Sequence, residues 1–148
     1  MAFRFTLQPV LRLRASYERL ERLRLLAVVA AIVRVQQGLD LLDAESQQAR
    51  VYLRDKLAGG MTAGEMQFET VCEKLRVEHR RTLEARLKEL AQAQARQRQA
   101  YQSAKQKRQV LENLRQRKLD EYRVEQSRRE QQGIDELFLL HRGTTPHE

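Results

Sequence analysis

Hydrophobic positions recur three and four residues apart over almost the whole of this chain, the spacing of one helix face. A short opening piece differs: Phe3, Phe5 and Leu7 alternate with Arg4 and Thr6, which reads as an extended arm over residues 1–8. Pro9 then suits the first turn of a helix, where its missing N–H costs nothing. No further proline occurs until Pro146. The spacing predicts a first helix over 9–58. Its seam would run through Leu13, Tyr17, Leu20, Leu25, Val28, Ile32, Val35, Leu39, Leu42, Ala49 and Leu53. The five-residue step from Leu20 to Leu25 predicts a slip in register there.

Residues 59–65 hold three of the six glycines, Gly59, Gly60 and Gly64. Glycine ends a helix because it accepts the left-handed conformation at little cost. Thr62 and Glu65 stand at capping-box spacing and announce the next helix. A turn over 59–62 so short makes the two helices antiparallel neighbours. The second helix is expected over 63–142, followed by a tail at 143–148. Its seam would pass through Phe68, Cys72, Leu75, His79, Leu83, Leu87 and Leu90, weaken through Ala93, Ala100 and Ala104, and recover at Val110, Leu111, Leu114, Leu119 and Tyr122. The fold class predicted is all-α: one elongated domain, a long antiparallel two-helix coiled-coil hairpin.

With the turn near Gly60, positions whose numbers total about 121 should face each other. Leu53 then meets Phe68, Ala49 meets Cys72, Leu42 meets His79 and Tyr17 meets Ala104. The bulky run Leu25 to Val33 meets the smaller residues of 89–96, and large against small favours close packing. The second helix would project past the start of the first, with the arm covering part of the overhang.

Composition narrows the class. Of 148 residues, 41% are hydrophobic and 5% aromatic, with no Trp and two prolines. An all-β chain would need more β-branched, aromatic and turn residues. A disordered one would lack the periodic apolar positions. The single cysteine, Cys72, can form no internal disulfide, which fits a reducing compartment. The nine-residue run Leu25 to Val33 is shorter than the ~20 residues a membrane span requires and has arginines on both flanks. The chain is therefore expected to be soluble, or attached peripherally to a membrane. Because that run is apolar nearly all round, a further layer or self-association through Leu25 to Val33 should cover it.

Candidate chemistry is sparse. His79, His141 and His147 lie far apart, and no pair has zinc-ligand spacing. The sequence has no phosphate-binding glycine loop and no nucleophile elbow. No enzymatic activity, metal or cofactor is expected. The formal net charge is +8, and it is unevenly placed. Between Arg96 and Lys118, eight basic residues stand against Glu112 alone. Near the start, Arg4, Arg12, Arg14, Arg19, Arg22 and Arg24 stand against Glu18 and Glu21. In a hairpin these stretches run side by side, as a solvated surface or as a contact for an acidic partner. Only Tyr101 interleaves the basic run, so a protein partner is favoured and no nucleic acid is expected. Phe68, Cys72, Leu75 and His79 suit core packing. Val71 widens the apolar arc, which leaves room for a second contact. Leu137 to Leu140 would pack back on Phe3 and Phe5 or form a docking end.

The opening Phe3-Arg4-Phe5-Thr6-Leu7-Gln8-Pro9-Val10-Leu11, followed by Arg14, Glu18 and Leu20, resembles the start of the flagellar export protein FliJ family. Size, charge, the glycine break and the tail Arg128-Arg129-Glu130 with Asp135-Glu136-Leu137 fit as well. The resemblance implies a coiled coil similar to the central stalk of rotary ATPases. Such a stalk binds in the middle of the flagellar type III export ATPase (FliI) ring and favours its assembly. It also contacts the export-gate membrane protein FlhA and export substrate chaperones, at the cytoplasmic face of the membrane at the flagellar base. On that implication Arg12, Arg14, Arg19, Lys105, Lys107 and Arg108 are the ring-contact candidates, and Phe68, Cys72, Leu75 and His79 the gate-contact candidates. An injectisome stalk, a basic nucleic-acid binder and a purely structural rod are the alternatives.

Overall fold

The computed structural model describes residues 2–143. It contains two helices, α1 (Gln8–Gly59) and α2 (Ala63–Gly143), and no strand among the described residues. Each helix bound lies within one residue of its sequence expectation. Gly143 closes α2, and the rest of the tail expected over 143–148 lies outside the described residues.

The turn is built as its residues dictate. Gly60 has φ +95°, the only positive φ among the described residues, and the left-handed region it occupies is cheap only without a Cβ. Thr62 then caps α2. Its hydroxyl accepts a hydrogen bond from Glu65 N at 3.2 Å, and its own N–H donates to Glu65 Oε2 at 3.3 Å. Two of the helix's otherwise unpaired donors are thereby answered.

The chain divides into two compact units, each made of one segment from each helix. One holds the chain up to Glu18 with the chain from Ser103; the other is Arg19–Gln102. In the second unit the α1 seam runs through Glu21, Leu25, Val28, Ile32, Val35, Leu39, Leu42, Ser46, Ala49 and Leu53, all buried or half-buried. Steps of four and three alternate without interruption, as a coiled-coil seam requires. The expected slip between Leu20 and Leu25 does not occur. Glu21 takes the seam position and Leu20 is exposed. Antiparallel register is visible in the facing pairs. Gly38 lies against Leu83, so close that a Cβ would sit 3.3 Å from its Cδ1. Asp43 pairs with Arg80, and Gln97 Nε2 donates to the Glu21 carboxylate and, at 3.1 Å, to the Glu21 carbonyl. These numbers total 121, 123 and 118, as the position of the turn predicts.

On α2 the half-buried positions in this unit run through Glu69, Cys72, Arg76, Arg80, Leu83 and Leu87 to buried Leu90, and on through Ala93, Gln94, Gln97, Ala100 and Tyr101. Two four-residue steps in succession, Cys72 to Arg76 to Arg80, insert a stutter into the heptads. This corrects the expected seam: Phe68, Leu75 and His79 are exposed, and Arg76 and Arg80 face α1 in their place. Arg80 can do so because Asp43 answers its charge.

In the first unit, Leu11 and Phe5 are buried, and Ala15 and Glu18 half-buried. Leu13 and Tyr17, expected in the seam, are exposed. Arg108 Nε donates to the Glu18 carboxylate across the helix pair. The arm has no regular secondary structure over residues 2–5 and turns at Thr6 and Leu7, where the Phe5 carbonyl accepts from Gln8 N at 3.2 Å. Phe3 packs on Tyr122 of α2, ring centroids 5.6 Å apart. The Leu137–Leu140 cluster does not fold back on Phe3 and Phe5; all four side chains are exposed.

The nine-residue apolar run understates α1. Polar residues end the run at Val33, but an average taken across such interruptions stays high. An 18-residue window of α1 has mean hydropathy 1.7, and only 6% of its residues are fully buried. By length and composition alone, the helix could cross a membrane.

Two substitutions test this account. Gly60→Ala should cost about 1–2 kcal/mol from left-handed strain. Gly59→Ala, with open space and no positive φ, should be neutral or slightly stabilising; urea unfolding distinguishes the two. For the seam pair, Glu18→Leu or Arg108→Leu alone should destabilise the protein. The double substitution should recover stability to near or above the starting value, read as a double-mutant cycle of thermal midpoints.

Candidate functional site

With one stripe of each helix turned inward, chemistry-bearing residues lie on the outward faces. In the second unit, Phe68 and Leu75 are 67% and 64% exposed, and Val71 and His79 are exposed beside them. Their numbers step by three, four and four, so they form one ridge along α2 flanking the Cys72–Arg76–Arg80 seam. Of the four gate-contact candidates, then, three stand on the surface. Cys72 is half-buried in the seam beside the ridge and carries a free thiol. The ridge is bordered by charge on its outer side, where Arg81 pairs with Glu78 at 3.2 Å. An exposed apolar ridge edged by compensated charges suits a partner that brings its own apolar groove.

The basic candidates divide between the units. Arg12, Arg14, Lys105, Lys107 and Arg108 belong to the first, and Arg19 opens the second. Arg12, Lys105 and Lys107 are exposed and Arg14 is half-buried. Arg108 is half-buried too, its guanidinium held by Glu18 in the seam. Arg12 also lines an open cleft of about 610 Å³ beneath the arm, with Phe3, Arg4, Phe5 and Arg115. No pattern of residues signals this cleft, because it depends on where the arm docks. Arg115 is partly compensated there by Glu112, 3.4 Å away. Among the described residues, no three His, Cys, Asp or Glu side chains gather as metal ligands.

The family model for the flagellar FliJ protein matches residues 3–142. No curated protein and no solved structure matches the chain significantly.

Because the ridge is outside the core, its truncation should be nearly silent in stability. Phe68→Ala and Leu75→Ala should each change unfolding free energy by no more than about 0.5 kcal/mol. Leu90→Ala and Leu42→Ala, both buried, should cost about 2 kcal/mol or more. Denaturant midpoints of the four variants provide the comparison.

Proposed function

The chain belongs to the flagellar FliJ family, whose members are components of flagellar protein export, and from that premise we propose that it acts there as a non-catalytic coiled-coil stalk. In this reading it binds the export ATPase (FliI) ring through its basic residues and favours ring assembly and activity. It links the ring to the export-gate protein FlhA and to substrate chaperones, on the cytoplasmic side of the membrane at the flagellar base.

The observation that carries this reading is the exposed ridge Phe68–Val71–Leu75–His79. Leaving two large apolar side chains in water on a helix that has Arg76 and Arg80 in its seam gains nothing for the fold. It makes sense if a partner covers them, and we assign Phe68, Leu75 and His79 to the gate, with Cys72 at the edge. The ring contact is assigned to Arg12, Arg14, Lys105 and Lys107, with Arg19 in the same role. Arg108 contributes by holding Glu18 neutralised, so that the basic surface carries no exposed carboxylate at that point.

Such a stalk performs no bond chemistry. It acts by binding one ring conformation more tightly than the others, and the ring equilibrium shifts by no more than that difference in affinity. Exposed basic residues raise the encounter rate with an acidic ring opening, and this contribution falls as salt rises.

Two variants separate the roles. Arg12→Glu/Arg14→Glu/Lys107→Glu should weaken ring binding at least tenfold and abolish ATPase stimulation, with helicity unchanged by circular dichroism. Phe68→Ala/Leu75→Ala should spare stimulation and abolish binding to the cytoplasmic part of the gate protein. Stimulation that survives the triple charge reversal would overturn the ring assignment. Gate binding that survives the double alanine would overturn the other.

A further inference from the structure

In the second unit, the outward side of α1 differs in character from every other surface described above. Opposite the seam residues Leu25, Val28, Ile32 and Val35 stand Leu20, Leu23, Leu26, Ala27, Ala30 and Val33, all exposed. Leu23 is 58% and Leu26 54% exposed. Arg19, Arg22, Arg24 and Arg34 border this strip, and all four are exposed. Arg24 pairs with Glu21 at 2.9 Å. The other three make no ion pair among the described residues. From Arg22 to Leu39 there is no acidic residue at all. An apolar strip with arginines as its only charges, on a helix whose mean hydropathy reaches 1.7 over 18 residues, has the make-up of an element that lies in a membrane interface.

Charge discriminates among possible occupants. A second copy paired antiparallel with the strip centred on itself would set Arg19 beside the copy's Arg34, and an in-register parallel pairing would set each arginine beside its equivalent. Both juxtapose like charges. A partner helix would have to carry carboxylates along both of its edges. An anionic bilayer supplies phosphates on every side of the inserted strip without any such matching. We propose that this face of α1 lies flat on an anionic lipid surface. Leu20, Leu23, Leu26 and Val33 enter the boundary between headgroups and acyl chains, and Arg22 and Arg34 contact lipid phosphates. The helix lies on the bilayer and does not cross it, because its other side is packed on α2 and bonded there through Glu21 and Gln97. The ring and gate contacts play no part in this inference, and its test contains neither partner.

The experiment is co-sedimentation of the purified full chain with vesicles. Vesicles of phosphatidylglycerol and phosphatidylcholine should bind it at least tenfold more tightly than phosphatidylcholine alone. Leu23→Ser/Leu26→Ser/Val33→Ser should lose at least tenfold in affinity. Arg22→Gln/Arg34→Gln should lose roughly fivefold per arginine. Should the serine variant lose helicity, Leu26→Trp provides a second reading. The chain has no other Trp, and its emission should shift to the blue on anionic vesicles. The proposal is overturned by absence of binding to anionic vesicles, by undiminished binding of a helical serine variant, or by an unshifted Trp emission. A dimer in sedimentation velocity that the serine substitutions dissolve would also overturn it, since the face would then belong to a second copy.

Discussion

Each helix of an antiparallel pair can turn only a narrow stripe towards its neighbour, and successive stripe residues must keep to steps of three and four. In this chain the stripe is set where apolar residues are densest, Leu25 to Leu42 on α1 and Leu83 to Leu90 on α2. A continuous helix carries that phase outwards, whatever residues it meets. On α1 it brings Glu21 inward while Leu20 stays out; on α2 it brings Arg76 and Arg80 inward while Phe68 and Leu75 stay out. The polar intruders are tolerable because they are answered: Glu21 by Gln97, Arg80 by Asp43, and in the first unit Glu18 by Arg108. A charge at a half-buried position would be costly without a partner.

The same constraint explains why so much of the surface is greasy. A pair of helices has no third layer to cover the residues that the stripe leaves out. They remain available to partners, and a family whose members work within a flagellar export machine has uses for several such faces. The faces are chemically distinct. The α2 ridge is edged by the Glu78–Arg81 ion pair, whereas the α1 strip is edged by arginines and no carboxylates beyond Glu21. One suits a groove in another protein, and the other suits a surface that is negative throughout.

Much of the fold was legible in the sequence. Gly60, Thr62 and Glu65 announce the turn by mechanisms that act within a few residues, and the facing pairs follow from where the turn falls. What could not be read was which of two stripes faces inward. Leu13 and Leu20 keep the same seven-residue spacing as Leu11 and Glu18. Leu75 and His79 likewise repeat the four-residue step of Arg76 and Arg80. Local hydrophobicity favours the more apolar stripe in each case. The choice is made instead by phase inherited from a distant part of the same helix and by polar partners on the other one. The candidate residues were identifiable from the family resemblance, but not their exposure, nor the engagement of Arg108 with Glu18.

The stutter in α2 has a geometric consequence. Eleven residues spread over three turns give about 3.67 per turn, almost the natural pitch of an unstrained helix. Over that span the left-handed winding relaxes. Side chains one repeat apart therefore line up along the axis, where ordinary heptads would let them drift around it. Phe68, Val71, Leu75 and His79 occupy such a span. They form a rail that a rigid counterpart can meet along a single line without having to coil about the helix.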